Sequence, residues 1–239
     1  MAKLYFRFGA MNSGKSTAIL QAAYNYEERG QHVLLAKPTV DTKGNIRIQS
    51  RLGVSRPVDF VLAPGDDVLD IVAENRRRVR RETGGDVSCV LIDEAQFLTE
   101  PQVDDLLRIA IQQDIPVLAY GIRTDFQTVA FPGSRRLLEI AHSLEELKTI
   151  CRCGRKAVFN ARTIGGVFVF DGEQVAIDTV SGALADGLTA SSADVGYESL
   201  CGACYLDESG GQFGDGRVRG VQTAPAPASY ASAPDSDFA

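Results

Sequence analysis

Gly9-Ala-Met-Asn-Ser-Gly14-Lys15-Ser16 is the stretch on which the fold turns. It matches G-x-x-x-x-G-K-[ST], the phosphate-binding loop. Its glycines let the backbone curl so that N–H groups point inward at phosphate oxygens. The helix that follows adds its N-terminal dipole. Lys15 supplies a point charge for the β- and γ-phosphates, and Ser16 a hydroxyl for Mg²⁺. A chance glycine-rich turn needs no particular flanks. Here the motif follows an apolar strand-like run, Leu4–Phe8, and opens a helical stretch ending near Gly30, as the phosphate loop requires. The candidate ATP-binding set from this motif is Gly9, Ala10, Met11, Asn12, Ser13, Gly14, Lys15, Ser16 and Thr17.

Outward from the loop, strand and helix alternate. Val33–Lys37 reads as a strand, 66–82 as a helix, Val87–Ile92 as a strand buried on both faces, 101–113 as a helix and 115–120 as a strand, with Ser134 a candidate cap of a helix running to about His142. This alternation predicts an α/β fold: a doubly wound parallel sheet of the P-loop NTPase type, with a RecA-like core and right-handed crossovers. Near Leu147 the pattern changes to short β-like runs, such as Val167–Phe170 and Gln174–Ile177, among four of the five cysteines. From Asp207 the chain becomes rich in Gly, Ala, Pro and Ser, a composition that cannot bury enough apolar surface to order itself. The expected division is 1–146, an ATP-binding α/β domain; 147–206, a small cysteine-bearing β domain; and 207–239, a disordered tail.

Val90-Leu-Ile-Asp93-Glu94-Ala-Gln96-Phe97 reads as a Walker B strand, placed beside the strand of the phosphate loop so that Asp93 reaches the Mg²⁺ shell. Glu94 lies one residue on, at the carboxyl end of the strand, where open α/β sheets bind ligands. A carboxylate there can accept the proton of an attacking hydroxyl or water. Asp93, Glu94, Ala95 and Gln96 therefore join the ATP/Mg set, and Glu94 and Lys15 are the candidate catalytic pair. Asp-Glu-Ala-Gln also suits a helicase-type ATPase. That alternative calls for a second such domain and a basic surface. The chain has one P-loop-like half and 25 Lys+Arg against 31 Asp+Glu, a net charge of −6. Its one basic cluster, Arg76–Arg81, reads as a solvated helix face. No nucleic-acid partner is expected. No membrane partner is expected either, because the apolar runs fall far short of the ~20 residues that a span needs. The N-terminus does not read as a signal peptide, which points to the cytoplasm and to reduced or metal-bound cysteines.

Cys151-Arg-Cys153 and Cys201-Gly-Ala-Cys204 can offer four thiolates to one tetrahedral Zn²⁺, a closed and structural composition. Cys89, inside the Walker B strand, reads as a small buried hydrophobe. His32 and His142 have no partners at ligand spacing.

Five stretches taken together resemble thymidine kinases of the bacterial and animal-cytosolic type: 9–17, Leu-Ile-Asp-Glu-Ala-Gln-Phe-Leu (91–98), Tyr-Gly-Ile-Arg-Thr-Asp-Phe (120–126), 147–157, and Tyr-Glu-Ser-Leu-Cys-Gly-Ala-Cys-Tyr (197–205). The resemblance runs in order over about 3–206. It implies transfer of the ATP γ-phosphoryl group to the 5′-hydroxyl of thymidine or deoxyuridine, in nucleotide salvage for DNA synthesis. Glu94 would be the general base, with Asp93 and Ser16 at Mg²⁺ and Lys15 following the phosphoryl group. The thymine pocket would comprise Met11, Phe97, Ile122, Phe126, Phe131 and Tyr197, with Arg162 near the phosphates. For Phe97 and Phe131 plain core packing is the competing reading. The resemblance further implies a zinc-binding unit with a loop that covers the nucleoside, a homotetramer, and feedback inhibition by dTTP. Enclosure suits a neutral pyrimidine, whose recognition needs hydrogen bonds shielded from water. Three features depart from the family pattern: Lys43 where Arg is usual, Ile177-Asp178-Thr179 where Ile-Gly-Gly is usual, and an apparent insertion over 180–193. The insertion is expected to be mobile without nucleoside and ordered with it.

Overall fold

A computed structural model describes residues 1–39, 46–172 and 195–213. Lys43, the run 174–177, Asp178-Thr179, the 180–193 insertion and the tail beyond 213 lie outside the described residues.

The core elements are β1 (Leu4–Phe8), α1 (Lys15–Glu27), β2 (His32–Pro38), the hairpin β3 (Arg47–Gln49) and β4 (Ser55–Pro57), β5 (Phe60–Leu62), α2 (Val68–Thr83), β6 (Val87–Ile92), α3 (Glu100–Gln112), β7 (Val117–Gly121), α4 (Pro132–Ile140) and β8 (Ser143–Glu146). Six strands form one sheet in the order β5-β2-β6-β7-β1-β8, every neighbouring pair parallel. The near-continuous apolar strands have the reason that parallel sheets give them, since both faces are covered. Leu34, Ala36, Val90, Ile92, Val117 and Ala119 pack toward α2, α3 and α4. Their alternates Val33, Leu35, Cys89, Leu91, Leu118 and Tyr120 pack toward α1 and the hairpin residue Ile48. The period-2 geometry of a strand makes this division.

Helix ends follow local chemistry. The Asp67 carboxylate accepts from the Asp70 N–H and Gly84 closes α2 in the left-handed conformation. Thr99 and Gln102 form a capping box on α3. Ser134 is no cap: α4 begins two residues earlier with Pro132 at its first position, and the buried Ser134 hydroxyl donates to the Ile122 carbonyl at 2.5 Å. The expected neighbourhood of the Walker B strand is also corrected. β7 pairs with both β1 and β6 and lies between them. The β3–β4 hairpin was not anticipated, because its strands are three residues each and carry no sustained alternation.

The second unit comprises β9 (Thr149–Ile150), β10 (Lys156–Ala157), β11 (Phe159–Ile164), β12 (Val167–Val169), β13 (Val195–Leu200) and α5 (Gly202–Glu208), with a three-stranded antiparallel sheet β12-β11-β13. Its core is Cys151, Ala157, Ala161, Leu200, Cys201 and Tyr205. The Asp207 boundary falls inside α5. Beyond it the Phe213 ring stacks on Tyr205 at 5.8 Å and 13°.

Candidate active site and cysteine cluster

The phosphate loop joins the carboxyl end of β1 to the first turn of α1. Gly14 precedes that turn at φ 79°, a left-handed conformation that a side chain would strain, and Asn12 is left-handed too, at φ 67°. The Lys15 side chain is buried and its ammonium donates to the Ala10 carbonyl at 3.1 Å. Burial lowers its pKa. The Glu94 and then the Asp93 carboxylates act in the opposite sense, and the Arg51 guanidinium lowers it further. Lys15 therefore lies within electrostatic reach of both acids, although β7 separates their strands. Ser16 and Thr17, half-buried, occupy the first turn beside it. Asp93 is buried at the end of β6.

Glu94 has φ 49° and ψ 38°, the left-handed region, which a glutamate occupies only at a cost of about 1 kcal/mol or more. It opens a single 3₁₀ turn, Ala95–Phe97. Gln96 explains how the carboxylate is held. Its Nε2 donates to Glu94 Oε2 at 2.6 Å and its Oε1 accepts from the Ile122 N–H at 3.2 Å. That approach depends on Gly121, where a Cβ would lie 2.7 Å from Gln96 Oε1. The last position of β7 is thus small so that the amide can bridge Glu94 to Ile122.

The other expected pocket residues fall into two groups. Phe97 and Phe131 meet edge to face at 5.5 Å. Phe126 is buried beneath the Arg162 guanidinium, which lies 3.9 Å from the ring centroid. Arg162 Nη2 donates to the Asp171 carbonyl at 2.6 Å, and Tyr197 is its cross-strand neighbour on β13. Arg162 thus lies against Phe126 and the Asp171 backbone.

Several residues without a sequence signal tie the second unit to the first. Asn160 Oδ1 accepts from the Met11 N–H at 2.7 Å and its Nδ2 donates to the Thr124 carbonyl at 2.8 Å. Ser199 Oγ donates to the Met11 carbonyl. Tyr205 Oη donates to the Phe126 carbonyl at 2.7 Å, and Gln127 Nε2 donates to the Phe170 and Gly172 carbonyls at 3.2 and 3.0 Å. Asn, Ser and Gln in short strands and loops carry no pattern that marks such bridges. Arg51 was missed because its hairpin was missed.

The Sγ atoms of Cys151, Cys153, Cys201 and Cys204 all lie within 4.8 Å of one another. A tetrahedron of thiolates at ~2.3 Å from a zinc ion has S–S edges of about 3.8 Å, so this donor set fits Zn²⁺ with little movement. Cys201 is pulled down to about 6 by the N–H of Cys204 first and then by neighbouring thiols, while Cys204 is pushed up to about 12 by burial and those same thiols. Ionising one sulfur thus suppresses the next, and a cation would relieve the conflict. Cys89 is fully buried and pushed up to about 12 by desolvation. His142 accepts the Leu4 N–H through Nδ1. The basic face of α2 is ion-paired: Arg76 and Arg80 share Asp86, and Arg78 meets Asp59. Among the described residues no helix is long and apolar enough to cross a membrane.

This geometry agrees with what the sequence is similar to. The thymidine kinase family model matches residues 2–205. A thymidine kinase of Idiomarina loihiensis is 51% identical over 180 residues, covering 74% of this chain and 89% of the relative. One from Legionella pneumophila (strain Paris) is 50% identical over 179 residues (74% and 83%), and one from Rhodopirellula baltica 49% over 180 (74% and 82%). The chain belongs to the thymidine kinase family.

Proposed function

We propose that the chain transfers the γ-phosphoryl group of Mg-ATP to the 5′-hydroxyl of thymidine, and of deoxyuridine, giving the 5′-monophosphate and ADP. One observation carries the reading: Lys15, buried at the start of α1 with its ammonium on the Ala10 carbonyl, lies within electrostatic reach of Glu94 and Asp93 at the end of β6, where Gln96 holds the Glu94 carboxylate. The Glu94 carboxylate accepts the 5′-hydroxyl proton. The oxygen attacks the γ-phosphorus, the bond to the β–γ bridging oxygen breaks, and ADP leaves. Lys15 stabilises the charge spreading over the transferring group. The oxygens of Ser16 and Asp93 suit Mg²⁺, which when bound neutralises charge on the β- and γ-phosphates. Gln96 keeps the Glu94 carboxylate aimed. Met11, Phe97, Ile122, Phe126, Phe131 and Tyr197 hold the base, with Arg162 near the phosphates.

The four cysteines hold Zn²⁺ structurally. In this reading 1–146 is the ATP-binding domain, 147–206 carries zinc and the nucleoside-covering loop, the enzyme is a cytoplasmic homotetramer, and dTTP inhibits it. The helicase-type alternative is set aside by the family match over 2–205. The deciding experiment is ATP-dependent phosphorylation across thymidine, deoxyuridine, deoxycytidine and purine deoxynucleosides. Product from thymidine and deoxyuridine alone is expected. Nucleic-acid-stimulated ATP hydrolysis without nucleoside phosphorylation would overturn the assignment.

A further inference from the structure

The phosphate loop is held from outside by a pair of side chains on the second unit. Asn160 and Ser199 are direct cross-strand partners on β11 and β13. Both are buried, at 3% and 6% exposure. They take opposite ends of one residue: Asn160 Oδ1 accepts the Met11 N–H at 2.7 Å, and Ser199 Oγ donates to the Met11 carbonyl. The other end of the Asn160 amide is committed as well, since Nδ2 donates to the Thr124 carbonyl at 2.8 Å. An antiparallel pair projects its two side chains to the same face of the sheet, so the two groups reach Met11 together. We infer that Asn160 and Ser199 form a positioning clamp that fixes the Met11 peptide groups, and through them the curvature of the phosphate loop needed to bind ATP.

The physical need lies in the neighbouring conformation. Asn12, the next residue, is left-handed at φ 67°. Asparagine takes this region more readily than most residues with a side chain, yet it remains the less common state, which the surroundings must select. Two hydrogen bonds from buried side chains to the residue before it supply that constraint. Without them the half-buried Met11 peptide groups lose their partners, and the loop is freer to rearrange. The pair touches no reacting atom, and its effect runs through Met11.

The inference rests on the reading of Gly9–Ser16 as the ATP cradle, and the test separates the two. Binding of the fluorescent analogue N-methylanthraniloyl-ATP with Mg²⁺ is measured for the zinc-loaded parent and for Asn160→Ala, Ser199→Ala, the double variant, Ser199→Thr and Lys15→Ala, with melting temperature recorded for each. Each single alanine is expected to weaken binding roughly tenfold, the scale of leaving one buried hydrogen-bonding group unpaired. The double variant is expected to lose less than the product of the two, because both bonds serve one residue. Ser199→Thr keeps the donor and is expected to bind within about threefold of the parent. Folded alanine variants that bind like the parent would overturn the clamp while leaving the cradle intact. So would Ser199→Thr binding as weakly as Ser199→Ala at an unchanged melting temperature. Lys15→Ala binding the analogue as the parent does would overturn the cradle itself, and the clamp with it.

Discussion

Glu94 combines a strained backbone with the proposed base, and two substitutions separate those properties. Glu94→Gln keeps the side-chain length and an oxygen that can still accept from Gln96 Nε2. It loses the charge. A neutral acceptor replaces a charged one, so local stability falls by about 1 kcal/mol or less. The catalytic effect should be far larger, a 10²- to 10⁴-fold fall in kcat, equivalent to about 3–5 kcal/mol of barrier. ATP should bind as well or better, because a carboxylate beside the phosphates is gone. The Lys15 ammonium, whose largest favourable partner is Glu94, turns to the phosphates instead. Glu94→Gly removes the same carboxylate and relieves φ 49°. Strain relief of about 1 kcal/mol is partly offset by the greater freedom of glycine in the unfolded chain. Its melting temperature should therefore equal or exceed that of the parent by up to ~4 °C, with activity as low as in Glu94→Gln. Steady-state kinetics at saturating thymidine and ATP, paired with thermal melts, read both quantities. A Glu94→Gln enzyme within tenfold of the parental kcat would refute the base assignment. A Glu94→Gly enzyme clearly less stable than Glu94→Gln would refute the strain argument.

Burial depresses Lys15 below 10.5, so in the window just under that value the unfolded chain holds a proton that the folded chain has released, and stability should rise with pH there. Urea unfolding at about pH 7 and 9.5 should show this rise for the parent and less of it for Lys15→Met, which should be inactive yet at least as stable. Zinc should be found by elemental analysis in a one-to-one ratio with chain. Cys201→Ser should lose it and melt lower, and chelation should be easier as pH falls, because protons compete for the thiolates. A chain ending at Phe213 should match the full chain in melting temperature, whereas one ending at Leu206 loses the end of α5, the Arg152–Glu208 ion pair and the Phe213 stack on Tyr205. The shorter chain should lose roughly 1–3 kcal/mol, and equal melts for the two would refute a structural role for 207–213.

The phosphate loop and the β6–Glu94 segment were legible because each couples a residue pattern to one required context. Phosphate needs glycine, lysine and a helix start, and a strand buried on both faces must be apolar throughout. The cysteine cluster was legible for a similar reason, since soft ligands must occur as a set. Three things were not. The insertion of β7 between β1 and β6 is a pairing choice among strands that look alike, because Leu4–Phe8, Val87–Ile92 and Val117–Gly121 are all mostly apolar and all central. The hairpin is held by Ile48 packing on α1 and by the Arg56–Glu27 ion pair, contacts with no local signature. The onset of the tail was read from composition, which averages over a window and so does not register the end of α5, the Arg152–Glu208 ion pair and the Phe213 ring on Tyr205 just past Asp207.

The distribution of cations around the loop gives the site its direction. Lys15 is buried against a carbonyl with two carboxylates in reach, and Arg51, on the hairpin after β3, already opposes its charge. Two cations that destabilise one another are each stabilised when a polyanion binds near both, so part of their mutual repulsion is offset on binding. Protein carboxylates near the same point oppose the loss of the lysine's proton that burial favours. An ammonium held charged in a poorly solvated place gains more from a phosphate than one free in water. The hairpin thereby acquires a reason beyond covering α1. It brings a guanidinium within electrostatic reach of Lys15, on a hairpin whose Ile48 shares a core with Ile19 and Leu20 of α1. Arg51→Ala should then raise the KM for ATP severalfold and leave kcat and the KM for thymidine nearly unchanged, with Arg51→Lys intermediate because it keeps the charge without the planar fork. An Arg51→Ala enzyme with a parental KM for ATP at low ionic strength, where screening is weakest, would refute this account of the hairpin.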